Sequence, residues 1–187
     1  MRLNNRLTTS FLFDDIEYPI DLAFDNVLDV FDVLEDKTLR DYERAEICLA
    51  LLIGDYELED PIALWNYIYE EFIYKEEKPP IEYDLQGNPM PQYEEDEQEA
   101  LYDLEQDAEY IYASFRQAYG MNLYEQQGKL HWNEFRALLN GLPSETILQR
   151  IIQIRAWEPS KHDSAEYKES MKKLQKAYAL HKSEEVD

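Results

Sequence analysis

The chain has 187 residues, of which 44% are hydrophobic, so it is long enough for one domain or two small lobes with a true core. Forty-one acidic side chains against eighteen basic ones leave a formal charge of −23, which argues against nucleic acid and anionic membranes as partners, because phosphate binding needs clustered Lys and Arg. The single cysteine excludes an internal disulfide.

Residues 1–10 are polar and lack the apolar core of a signal peptide, and no apolar run approaches the ~20 residues of a membrane span. SFLFDDIEYPI (10–20) reads as a hairpin, with Phe11 and Phe13 on one arm and Ile16, Tyr18 and Ile20 on the other. Asp14-Asp15 form its turn, and Pro19 restricts it to an edge. Helical periodicity follows: Phe24, Val27, Leu28, Phe31 and Leu34 share a face, while Asp21, Asp25, Asp29, Asp32 and Asp36 line another. Such a carboxylate row is either a solvated face or a docking site for a basic partner.

A second helix is expected over about 39–53, burying Ile47, Cys48, Leu51 and Leu52 and stopping at Gly54. Cys48 reads as a buried free thiol. Asp60 caps and Pro61 opens a third helix, through Lys75. It is aromatic-rich, with Leu64, Trp65, Ile68 and Phe72 expected to point inward. Residues 76–96 hold four of the eight prolines and no apolar period, and read as a linker.

From 97 to 155 the pattern is strongest. Leu101, Leu104, Ala108, Ile111, Phe115 and Ala118 recur at spacings of 3, 4, 3, 4 and 3, predicting one amphipathic helix over 102–120 with Asp103, Glu105, Asp107 and Glu109 facing water. Gly120 ends it. A helix over 131–140 carries Trp132, Phe135, Leu138 and Leu139, and another from Pro143-Ser144 carries Ile147, Leu148, Ile151 and Ile154. From about Ser164 to His181, Tyr167, Met171, Leu174 and Tyr178 make a narrow seam among four lysines, predicting an arm that docks on a partner or becomes helical there. From Lys161 onward six Lys balance six acidic residues, so the rest of the chain carries the whole charge of −23.

The expected fold is mainly α: a two-lobed helical protein with a small N-terminal β-hairpin and an extended C-terminal helix. Its parts are an N-terminal lobe (1–75), a Pro-rich acidic linker (76–96), a C-terminal helical lobe (97–158) and the amphipathic arm (159–187). No phosphate loop, zinc pattern or nucleophile elbow occurs, so neither catalysis nor a cofactor is expected. Asp103 and Asp107 lie one turn apart as metal ligands can, but no Glu-x-x-His pair accompanies them. His131 beside Trp132 reads as a cap or packing residue, since no oriented partner for a base is visible. Partner contact is expected instead, through Tyr167, Met171, Leu174 and Tyr178 of the arm and Trp65 and Tyr69 of the third helix.

Three runs carry a resemblance: DLEQDAEYIYASFRQAYG (103–120), LHWNEFRALLNGLP (130–143) and the helix ending near QIR (153–155). Together they resemble the bacteriophage gene-product-fifteen family, found in tailed phages and prophages of Gram-positive bacteria. The likeness is close over 97–157 and looser over 13–36. Members are typically encoded between the major tail protein and the tape-measure protein. The resemblance therefore implies a tail-assembly chaperone, acting in the host cytoplasm on the tape-measure protein or other tail proteins, with self-association left open. A structural tail or virion component and an acidic DNA-mimic inhibitor of a host protein are the alternatives.

Overall fold

The computed structural model describes residues 3–58, 60–74 and 101–181; the expected linker, 76–96, lies outside the described residues. Among those described, the protein is mainly α, with seven α-helices and one two-stranded hairpin. The chain divides into two compact units. The first is Met1–Gln92 with Tyr124–Ala137, and the second is Tyr93–Leu123 with Leu138–Asp187. This differs from the sequence boundaries, which put all of 97–158 in one lobe.

In the first unit, β1 (Ser10–Phe13) pairs antiparallel with β2 (Ile16–Pro19). Asp14 and Asp15 take φ of 49° and 62°. Both values lie in the left-handed region that a two-residue type I′ turn requires, and Asp tolerates it better than most residues. Helix α1 (Phe24–Glu35) buries Phe24, Val27 and Val30. Its start is set by Asp21, whose carboxylate accepts the Ala23 N–H at 3.0 Å. Its end is set by Asp36, which accepts both the N–H and the hydroxyl of Thr38 at 2.8 and 2.6 Å. These bonds hold the Asp36 carboxyl below its ordinary range, the Thr38 hydroxyl being the larger cause.

Helix α2 (Asp41–Ile53) packs on α1 and α3. Glu43 reaches back to the Arg40 N–H at 2.9 Å, half of a capping box. The buried face is Ala45, Cys48, Leu49, Leu52 and Ile53, while Ile47 is 39% exposed. That corrects the expected face. ICLALLI is apolar on every side, so its periodicity does not single out the face that packs. The Cys48 thiol is free and buried, and burial pushes it up to about 11.

Helix α3 (Pro61–Ile68) starts as expected, the Asp60 side chain accepting from Ala63 N–H at 3.1 Å. It does not run on as α-helix to Lys75. Residues Tyr69–Ile73 form a π turn, closed by Tyr74 N–H to Tyr69 C=O at 2.7 Å. Ile68 and Ile73 are both buried, and at five residues apart they share a face only if the turn is widened to i→i+5.

Residues 124–137 complete this unit. Ala23 and His131 form a β-bridge, flanked by Phe24 N–H to Leu130 C=O at 2.9 Å and Trp132 N–H to Leu22 C=O at 2.7 Å. Asp25 accepts the Gly128 N–H with both oxygens, at 2.9 and 3.1 Å; Gly128 turns there with φ 65°. Helix α5 (Trp132–Asn140) then brings Phe135 onto Phe24, with ring centroids 5.0 Å apart and 13° between planes. The Trp132 ring meets Phe31 edge-on at 5.6 Å, and its indole N–H donates to the Ile73 carbonyl at 3.2 Å. From Leu138 on, α5 groups with the second unit.

In the second unit, α4 spans Ala108–Tyr119, six residues shorter at its start than the apolar stripe predicts. The reason lies in local competition for backbone donors. Asp103 accepts the N–H of Glu105 at 3.0 Å and of Gln106 at 2.7 Å, so 103–106 form a side-chain-closed turn instead of helix. The inward face is Asp107, Ile111, Ser114 and Phe115. Two polar residues thus occupy the stripe, and Asp107, expected to face water, is 1% exposed. Ser114 accepts the Leu148 N–H at 3.1 Å, tying α4 to the start of α6 (Ile147–Arg155), which buries Leu148 and Ile151.

The C-terminal arm is already helical and folded onto its own unit. Ser164 caps α7 (Ala165–Ala177), accepting from Tyr167 N–H at 3.1 Å, and the helix packs on α6. The Gln175 side chain donates to the carbonyls of Arg155 and Trp157 at 3.2 and 2.7 Å. Gln106 exchanges two bonds with the His181 backbone, at 3.0 and 2.8 Å. No residue of α7 is buried, so polar contacts and half-covered side chains hold it.

Candidate functional site

The residues expected to touch a partner fall into both units. In the second, Tyr167 is 48% and Leu174 39% exposed, while Met171 and Tyr178 are half-covered. The Tyr167 ring stands edge-on to Trp157 at 5.9 Å, and Tyr178 edge-on to Tyr110 at 6.2 Å. Part of the seam therefore serves the unit's own packing. In the first unit Trp65 is buried, correcting its assignment as a contact residue. Its ring lies 5.5 Å from that of Tyr69. Tyr69 is half-buried, and burial raises its hydroxyl above the ordinary value, with Tyr74 adding to the shift. The Tyr69 and Tyr74 rings stack at 5.7 Å and 1°. Tyrosine pairs of this kind offer broad contact area with little side-chain entropy to lose.

An aromatic cluster surrounds the hairpin. Phe11 lies 5.7 Å from both Tyr18 and Tyr67 and 5.3 Å from Phe72, and Tyr67 also meets Phe13 at 5.3 Å. Outside it, Leu12 and Ile16 remain exposed on the strands. A further exposed group on α2 and the loop and helix after it comprises Tyr42, Ile47, Tyr56 and Ile62. Sequence reasoning missed this group because it assigned Ile47 to the core. The detectable sign was that α2 offers more apolar residues than one buried face can use.

The carboxylate row of α1 is partly consumed inside the protein. Asp21, Asp25 and Asp36 each accept backbone N–H groups, as described above, whereas Asp29 and Asp32 are exposed. Asp103 and Asp107 likewise serve backbone and guanidinium donors. Among the described residues, no group of three or more His, Cys, Asp or Glu is placed to hold a metal ion, and no helix is long and apolar enough to cross a membrane.

The centre of the second unit is Arg155. Its guanidinium grips Asp107 with two bonds, Nη1 to Oδ2 at 2.5 Å and Nη2 to Oδ1 at 2.8 Å. Nη1 also donates to the Leu101 carbonyl at 2.9 Å and Nε to the Tyr178 carbonyl at 2.7 Å. One side chain thus joins the turn before α4, the end of α6 and the end of α7. Its partner's chemical need for a guanidinium was invisible in sequence, because Asp107 reads as one more surface carboxylate.

His131 acts as a helix cap. Its Nδ1 accepts the Asn133 N–H at 3.1 Å, and Glu134 accepts the His131 N–H at 3.3 Å. The proton of the neutral ring then sits on Nε2, which is buried near the Thr8 backbone but without a hydrogen bond of good geometry. Burial lowers the imidazole's pKa; Thr8, Glu134 and Asp21 oppose this and are outweighed. The unfolded chain therefore binds a proton near pH 6.5 that the folded chain does not. Stability should be full above that pH and fall as the solution is acidified through it. The expected result is a thermal midpoint that drops between about pH 7 and 5 and drops less in His131→Asn. Equal slopes in the two proteins would show that His131 is not the group responsible.

No curated protein and no solved structure matches the chain. The family model described as Bacteriophage Gp15 protein matches residues 3–180. The match takes in the N-terminal lobe and most of the arm, well beyond the 97–157 stretch in which the sequence likeness is close. This chain belongs to the bacteriophage Gp15 protein family.

Proposed function

We propose that this phage protein is a tail-assembly factor: a chaperone that holds the tape-measure protein in solution in the host cytoplasm until tail subunits assemble round it. The observation that carries the reading is the pairing of exposed apolar and tyrosine side chains with a large negative charge. Leu12, Ile16, Tyr42, Tyr56 and Ile62 are exposed on the first unit and Tyr167 and Leu174 on the second, on a chain of net charge −23. Exposed apolar surface suits contact with an aggregation-prone client, and like charge keeps the resulting complexes apart. Family membership supports a phage role, and the expected gene neighbourhood directs it to the tail. The reading contains no catalytic step and needs no cofactor.

Co-expression with the tape-measure protein of the same phage tests it. The client should move into the soluble fraction and co-purify with this chain, and mass spectrometry of finished tails should not find the chain. A client that stays insoluble with or without it would overturn the proposal. Stoichiometric retention in mature tails would assign the chain to the particle's structure instead.

A further inference from the structure

Beside α2 the first unit has a groove of about 330 Å³. Leu49 and Pro61 are buried in its floor, and Leu58 is half-buried. Ile47 and Tyr56 stand at its lips, 39% and 45% exposed. Its charged lining residues, Glu46 and Asp55, are both negative and both exposed. Tyr42, one turn before Glu46 on α2, is also exposed, and the nearby Glu46 carboxylate, with smaller contributions from burial and Asp60, holds its hydroxyl above the ordinary value. A second hollow of about 390 Å³ shares Ala50 and Gly54 with the first, and among the described residues its only carboxylate is that of Asp21.

An apolar floor, one aliphatic and one aromatic lip and an acidic rim define what fits. An amphipathic helix can lay its apolar face in such a groove, and cations flanking that face would meet Glu46 and Asp55 without displacing any basic residue of the lining. A second copy of this chain is disfavoured as occupant, because two bodies of charge −23 repel each other. We infer that this groove docks a lysine- or arginine-bearing amphipathic helix of the client, an inference that rests on the chaperone reading above.

Peptides tiled across the tape-measure protein, measured by fluorescence anisotropy against the full-length chain, provide the test. Cationic amphipathic tiles should bind, more weakly as salt rises. Ile47→Asp, and separately Glu46→Lys with Asp55→Lys, should each weaken them about tenfold or more, the loss of one well-placed anchor or its charge partners. All three positions are exposed, and each variant's thermal midpoint reports that it folds. Asp29→Lys with Asp32→Lys makes the same charge change on α1 and should leave binding within roughly threefold, because it alters only long-range attraction. If tiles bind and the groove variants bind as tightly as the unmodified chain, the groove is wrong and the chaperone reading stands. Binding confined to acidic or non-amphipathic tiles would also overturn the groove. If no tile and no co-expressed tape-measure protein binds at all, both fail together.

Discussion

Replacing Arg155 by methionine is expected to lower the unfolding free energy by about 3–5 kcal/mol, because it strands a carboxylate in the interior. Asp107 is 1% exposed and the Arg155 side chain 10%, so water cannot take over the lost bonds. The same substitution removes the donors to the Leu101 and Tyr178 carbonyls. It should therefore also raise amide exchange along α7, which has no buried residue of its own to hold it. A second substitution separates the charge from the shape. Asp107→Leu in the Arg155→Met background should recover much of the loss, since an apolar pair of similar volume often matches a buried ion pair. Urea unfolding of the two variants and the parent decides the matter. A loss below about 1 kcal/mol for Arg155→Met would mean that the pair behaves like a surface bridge.

The second large effect is expected at Phe135. Its ring is buried between Phe24 at 5.0 Å and Trp132 at 5.6 Å, nearly parallel to both. Phe135→Ala should cost about 3–5 kcal/mol from lost apolar burial and the cavity left behind. Part of that, roughly 0.5–1.5 kcal/mol, belongs to the ring stacking itself. The measurement also checks how integral residues 124–137 are to the first unit. Were the loss under about 1 kcal/mol, that segment would be an attachment and not a part of the core.

The hairpin was readable because its signals are local: alternating Phe and Ile around an Asp-Asp turn. Helix starts at Asp60-Pro61 and stops at Gly54 and Gly120 were readable for the same reason, each being set within a few residues. What escaped reading depended on distant partners or on competition within one turn. Asp107 looks like Glu105 and Glu109 until Arg155, forty-eight positions later, is placed beside it. The stripe from Leu101 to Ala118 is helical in period, yet Asp103 takes the N–H groups that the first turn would have used. The π turn after Ile68 exists to bring Ile73 inward, where its carbonyl meets the Trp132 indole; no short window contains both ends of that requirement. Of the six residues expected to contact a partner, four lie on an arm that is already folded onto α6. The groove beside α2 was hidden by an apolar run too uniform to show which side would remain in water.

The first unit's dependence on residues 124–137 has a consequence for biosynthesis. A ribosome that has made only the hairpin and α1 to α3 has released a half-built core, with Phe24 and Phe31 lacking the rings that cover them. That core closes only after Trp132 and Phe135 have emerged from the exit tunnel, by which time all of α4 has emerged before them. Truncating the gene within the proline-rich stretch would therefore produce an incomplete, sticky fragment, and the early translation product is itself a candidate for protection until its missing strip of chain arrives.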